Sequence, residues 1–228
     1  MITLIGGTKG GTGKTTVATN LCVFLAHAGL DVLLLDADPQ ATSSMWANER
    51  SQRNDLRPVH CVQRTGNLIP ALRDLESRYQ HIVVDCGGFD SEGLRSALVV
   101  ADVLYSPVVA SQFDLWTARK MLELVSLAGS MNPKLKAHWL LSMCETNPLI
   151  RGEADDGVEL LQELALLSVA RTRIHRRKAY RDVTTDGRGV IETNNIKASE
   201  EISALAMEVF GGTVQTSSSS DHAAAAVA

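Results

Sequence analysis

Residues 8–16 read TKGGTGKTT, directly after the apolar run Ile2-Thr3-Leu4-Ile5 and ahead of a helical pattern over 14–28. Gly10, Gly11 and Gly13 carry no side chains, so the backbone can curl until successive N–H groups converge on one anion. A helix that begins at Lys14 adds the positive end of its dipole at the same place. In such a loop Lys14 neutralises the β- and γ-phosphates of a nucleotide, and the Thr15 hydroxyl ligates Mg²⁺. Thr12 and Thr16 lie within the same loop, Thr16 in place for a further phosphate contact. A glycine-rich turn that binds nothing is the plainer reading. It leaves the strand, the helix and the Lys14-Thr15 pair without a reason. Two details stand out: Thr8 occupies a position where the general motif has glycine, and Lys9 is a second cation the motif does not require.

The rest of the chain supplies a suitable frame. It has 228 residues, 45% of them hydrophobic, which is enough for one large α/β domain with a substantial core. Short β-branched or leucine-rich runs at Ile2–Gly6, Val32–Asp36, Pro58–Val62, His81–Asp85, Val103–Pro107, Ala137–Met143 and Val169–Ile174 read as strands. Amphipathic stretches such as 14–28, 67–78, 112–129, 155–166 and 198–210 read as helices. Strands apolar on both faces that alternate with helices predict an α/β fold, a doubly wound, mostly parallel sheet covered on both sides. Ligands of such sheets bind at the carboxyl ends of the strands, where the polar motifs fall. The expected domain spans 1–211. The serine- and alanine-rich segment 212–228 has nothing large to bury and is expected to be disordered.

Cys22, Cys61, Cys86 and Cys144 form no C-x-x-C pair, and three of them sit in apolar runs. They read as buried small hydrophobes in a reducing cytoplasm, not as disulfides or zinc ligands. No apolar stretch reaches the roughly 18 residues of a spanning helix. The first residues have no basic segment ahead of their apolar run, so they read as a strand rather than a signal peptide.

Residues 9–16, KGGTGKTT, resemble the deviant phosphate loop of the ParA/MinD ATPases. The resemblance implies that Lys9 crosses a dimer interface and touches phosphates bound by the other subunit. There it stabilises charge on the transferring phosphoryl group, as an arginine finger does in trans. Two more segments agree. VLLLDADPQ, residues 32–40, ends a strand on Asp36 and Asp38, which share a face while the chain stays extended. By resemblance, Asp38 orients the attacking water and Asp36 supports the Mg²⁺ shell. HIVVDCGG, residues 81–88, ends a strand on Asp85, which in the family holds Mg²⁺ through water. The family usually follows this aspartate with a small residue and prolines; here it is Cys86-Gly87-Gly88, closer to the small ParF-like members. Residues 101–121 resemble the family's interface helix and the strand before it, with Pro107 and Asp114 in recognisable places. Residues 177–192, with their Asp186-Gly187 turn, resemble the ParF-like segment after the last strand.

From Arg171 to Arg181 there are six cationic side chains and no acid, in a chain of net charge −4. Arg173, Arg176, Arg177, Lys178 and Arg181 are therefore candidates for binding DNA phosphates without regard to sequence. A solvated, ion-paired face is the plainer alternative, and Arg171 and Arg173 could instead serve the nucleotide or the interface. The resemblance implies a cytoplasmic, nucleoid-associated ATPase for DNA or plasmid partition. It would form a homodimer with ATP and Mg²⁺ and be reset when a small ParB-like DNA-binding adaptor stimulates hydrolysis. The alternatives are a MinD-like membrane-cycling ATPase, another cargo-positioning ATPase, a metal-cluster ATPase and a non-enzymatic scaffold. The first alternative requires a basic amphipathic C-terminal helix, which TSSSSDHAAAAVA does not supply, so no membrane partner is expected.

Overall fold

The computed structural model describes residues 1–109, 112–147, 158–159, 161–162 and 166–224, and for 112–117 and 212–224 the backbone alone. Seven strands form one sheet: β1 (Ile2–Ile5), β2 (Val32–Asp36), β3 (His60–Gln63), β4 (His81–Asp85), β5 (Val103–Val108), β6 (Lys136–Leu141) and β7 (Ser168–Val169). Their order is β3-β2-β4-β1-β5-β6-β7, and every pairing is parallel. The helices are α1 (Lys14–His27), α2 (Thr42–Ser51), α3 (Ile69–Glu76), α4 (Glu92–Val100), α5 (Gln112–Gly129), α6 (Lys178–Asp182) and α7 (Ile196–Ala224).

The two-sided burial read from the strands is present. Leu4, Leu33, Leu35, Ile82 and Val84 face one core with residues of α3, α4 and α5. Ile5, Val32, Leu34 and Val83, offset by one residue, face the other with α1, α2 and α7. Successive strand side chains point to opposite faces, so a strand buried on both sides is mostly apolar along its whole length. Helix α1 is wedged between the sheet and α7, and ten of its fourteen residues are buried. It accordingly has no polar stripe.

Three differences from the sequence expectation have physical causes. The strand expected at Pro58–Val62 is shifted to His60–Gln63, on the sheet edge, where it is mostly exposed. The strand expected at Val169–Ile174 is cut to Ser168–Val169. Beyond it, carboxylates of α7 replace ladder partners: Glu208 accepts from the Arg171 and Thr172 amides, and Glu201 from the His175 amide. Strand β6 stops at Leu141, and two residues on Met143 takes φ 55°, outside strand geometry. Helix α2 presents Ser43, Trp46, Ala47 and Arg50 to the interior. Arg50 is fully buried and pairs with both Glu192 oxygens at 2.7 and 2.9 Å, and Trp46 Nε1 donates to the Arg188 carbonyl. Most of the helix expected at 155–166 lies outside the described residues, as does the Asp114 side chain. Helix α7 runs past residue 211, so the boundary there and the disorder expected after it stay expectations.

Candidate nucleotide-binding site

The strand register sets the site. Asp36 and Asp85 are Cα partners at the ends of β2 and β4, and Ile5 of β1 is level with Asp85. The phosphate loop leaves β1 beside the two aspartates. Gly13 closes the loop with φ 86° as it enters α1, a conformation that favours glycine. The loop glycines, Lys14, Thr15, Thr16 and Asp38 line one cleft of about 710 Å³, together with Phe89 and Met143. That volume lies within the usual range for a ligand the size of a nucleotide.

Lys14 is 6% exposed, and its Nζ donates to the Lys9 carbonyl at 2.6 Å. Burial lowers its pKa, while Asp85 and then Asp38 act in the opposite sense. Asp85 is 1% exposed, and neither carboxylate oxygen has a hydrogen-bond partner among the described residues. Burial therefore pushes its pKa up to about 7. The Thr15 and Ser43 hydroxyls favour its charged form without closing bonds of good geometry, and the buried Ser43 Oγ is likewise unpartnered. A buried, orphaned carboxylate beside two hydroxyls is an all-oxygen donor set that suits a hard cation. The residues present fit Mg²⁺.

Asp36 is differently placed. Its Oδ1 accepts from the Asp38 amide at 3.1 Å, and its Oδ2 from the Ser44 amide and hydroxyl at 2.8 and 2.7 Å. It thus anchors the turn that carries Asp38 and the first turn of α2. Asp38 Oδ1 in turn accepts from the Gln40 amide at 2.9 Å. Ser43, Ser44, Ser142 and Met143 escaped the sequence reading. A Cβ on Gly13 would meet Ser142 Oγ at 3.0 Å and Met143 Cε at 3.4 Å, so the end of β6 forms a wall of the loop. The run of small hydroxyl residues after DADPQ was the one available signal for Ser43 and Ser44.

The basic cluster divides. Arg176, Lys178 and Arg181 are exposed, and among the described residues Arg176 reaches Glu145 and Lys178 reaches Asp182 in long ion pairs of 3.8 Å. Arg177 points inward to Glu201 at 2.6 and 2.8 Å, alongside Tyr180 and His175 on the same carboxylate. Arg173 is half-buried. Arg176 and Arg181 also line a second cleft of about 390 Å³, which shares Gly11, Gly13, Thr16 and Met143 with the first.

A family model, that of the CobQ/CobB/MinD/ParA nucleotide binding domain, matches residues 3–211. The chain belongs to this family. Among relatives of the CobQ/CobB/MinD/ParA family, it is 30% identical over 209 residues to the Maintenance of carboxysome distribution protein A of Halothiobacillus neapolitanus. That match covers 90% of this chain and 94% of the relative. It is 28% identical over 156 residues to the Chromosome-partitioning ATPase Soj of Thermus thermophilus, covering 56% of this chain and 63% of Soj. The apo McdA structure of Cyanthece superposes with a TM-score of 0.76 at 15% identity, covering 91% of this chain and 98% of that one. This last likeness speaks to the fold, the parallel sheet flanked by helices. Within the described residues, no helix is long and apolar enough to cross a membrane.

Proposed function

We propose that the chain is an Mg²⁺-dependent ATP hydrolase that positions a large cytoplasmic cargo by cycling on and off DNA. The observation that carries this reading is the buried, unpartnered Asp85 carboxylate beside a phosphate loop with two lysines. The backbone N–H groups of Gly10 to Thr16 receive the phosphates, and Lys14 balances their charge. Thr15 and Asp85 hold the metal, Asp85 through water, with Asp36 fixing the loop alongside. Bound there, Mg²⁺ would withdraw charge from the phosphates. Asp38 orients the water that attacks. Lys9 serves the phosphates of a second copy, so that turnover requires a homodimer.

The second cleft, with Met143, Ile174 and Tyr180 in its lining, supports a place for the adenine base and ribose. Arg176, Lys178 and Arg181, exposed near that cleft, hold DNA phosphates irrespective of sequence. Arg177 is a structural residue in this reading, because Glu201 already neutralises it. A small DNA- or cargo-binding adaptor of the ParB kind speeds hydrolysis and releases the dimer from the nucleoid. Both a plasmid and a protein body fit as cargo. The near full-length likeness to a carboxysome distribution protein supports the second at least as well.

The test compares Lys9→Ala and Asp38→Ala with the unaltered chain by sedimentation and phosphate release. Asp38→Ala should bind ATP and dimerise without turnover. Lys9→Ala should bind ADP as a monomer yet fail to dimerise with ATP. A mixture of the two should recover some turnover, since one of the two sites then has both residues intact. Normal ATP-dependent dimers of Lys9→Ala would refute the shared site.

A further inference from the structure

The loop that leaves β4 reads Cys86-Gly87-Gly88-Phe89, and both glycines lie against parts of the site that come from elsewhere in the chain. A Cβ on Gly88 would stand 2.5 Å from the Gly10 nitrogen, 2.6 Å from Gly10 Cα and 2.8 Å from the Lys9 carbonyl carbon. All three atoms are backbone and belong to one peptide link, so no side chain can swing aside. A Cβ on Gly87 would stand 3.1 Å from Phe89 Cε1 and 3.2 Å from Cγ and Oδ2 of Asp38, contacts that small movements relieve. Neither Gly87 nor Gly88 is among the glycines with positive φ. Their lack of a side chain therefore serves close approach, not a turn. The Lys9–Gly10 peptide is gripped twice, by Gly88 and by Lys14 Nζ on the Lys9 carbonyl at 2.6 Å.

We propose that Gly88 is a positioning residue for Lys9: it lets the Lys9–Gly10 peptide seat against the loop after Asp85 and so sets where Lys9 leaves the subunit. Gly87 does the same for Asp38 on a finer scale. The inference rests on the reading that Lys9 acts on the phosphates of a second copy. Any side chain at Gly88 must push the Lys9–Gly10 peptide outward by about 1 Å to reach ordinary contact. The backbone from Gly11 to Thr16 lies beyond the displaced peptide and keeps all but the Gly10 N–H of the proposed phosphate contacts, and Lys14 loses only its bond to the Lys9 carbonyl, so most of the subunit's own hold on nucleotide survives. The point from which Lys9 crosses to the partner moves.

The experiment uses the full chain with Gly88→Ala, Gly87→Ala and Lys9→Ala, the dimer assays being made in an Asp38→Ala background to prevent hydrolysis. Affinity for ADP, thermal melting, sedimentation with MgATP and phosphate release are measured. Gly88→Ala should bind ADP within about threefold of the parent, yet its ATP-dependent dimerisation should weaken at least tenfold, as in Lys9→Ala. Gly87→Ala should dimerise normally and turn over about three- to tenfold more slowly, the cost of a few tenths of an ångström at Asp38. Parental dimerisation by Gly88→Ala overturns the proposal, and so does a loss of ADP binding in step with the loss of dimer. Should Gly88→Ala not fold, unchanged turnover in Gly87→Ala overturns the proposal by itself. A normal dimer in Lys9→Ala sinks the shared-site reading, whereas a lost dimer there with a normal one in Gly88→Ala sinks only the positioning role.

Discussion

Replacing Asp85 with asparagine should stabilise the nucleotide-free protein while removing the carboxylate of the proposed metal site. Burial raises the Asp85 pKa from 3.8 to about 7, so the folded chain retains a proton there that the unfolded chain releases. Between those two values the native state binds more protons, and its stability falls as pH rises; above about 7 the loss is complete. A shift of about three units corresponds to about 4 kcal/mol. The asparagine amide is neutral but meets imperfect partners in Thr15 and Ser43, which costs about 1–2 kcal/mol. The net gain above pH 7.5 is therefore about 2–3 kcal/mol, or about 5–10 °C in melting temperature for a domain of this size. Urea unfolding in EDTA at pH 8 and pH 6 measures it, and the advantage of Asp85→Asn should shrink at the lower pH. In a second arm, MgADP should stabilise the parent markedly more than the variant. An Asp85→Asn chain no more stable than its parent at pH 8, or with a gain independent of pH, would show that Asp85 is not an uncompensated buried charge.

Burial depresses the His81 pKa to about 4, so the folded state keeps this ring neutral while the unfolded state takes up a proton below 6.5. Stability should fall by up to about 3 kcal/mol as pH drops through that window, and His81→Gln should flatten this slope in urea unfolding at pH 5 against pH 7. Arg50→Ala leaves the Glu192 carboxylate buried without its bidentate partner and should cost about 3–5 kcal/mol by the same assay; a loss under 1 kcal/mol would mean that water or His27 already serves Glu192. Alanine at Arg176, Lys178 and Arg181 together should reduce the slope of log affinity for duplex DNA against log salt by about three, and an unchanged slope returns these residues to an ordinary solvated face.

The centre of the fold was legible because β1, β2 and β4 are buried on both faces, so apart from Thr3 and His81 their residues are apolar up to the ends at Gly6, Asp36 and Asp85. The phosphate loop was legible for a chemical reason: few backbones other than a phosphate cradle need glycines, a lysine and a hydroxyl in that order. Helix α2 was not, because its inward positions 43, 46, 47 and 50 have helical spacing but carry a serine and an arginine among the apolar residues. The split of the basic cluster was equally hidden. Arg177 is committed by Glu201, 24 residues further on, and nothing in the run of cations marks which one meets it. Met143 and Ser142 reach the loop only because β6 ends beside it, a fact of topology with no local signature. Gly87-Gly88 did stand out as a departure from the family's prolines, but its meaning needed the distances to Gly10 and Asp38.

The strand order bears on how the protein is made. β1 and β2 leave the ribosome before β4, yet they do not pair with each other; β4 lies between them and pairs with both. Until residues 81–85 arrive, the phosphate loop and the Asp36 turn lack the strand that sets their two ends level, and only the packing of α1 on β2 relates them. Domains fold during synthesis from the N-terminus onward, and here β1 must wait for its partners β4 and β5 while β2 has only β3 beside it. A nascent chain stalled before β4 has emerged should bind no nucleotide and depend on chaperones, whereas one stalled after β5 already contains β4 and its partners β1 and β2.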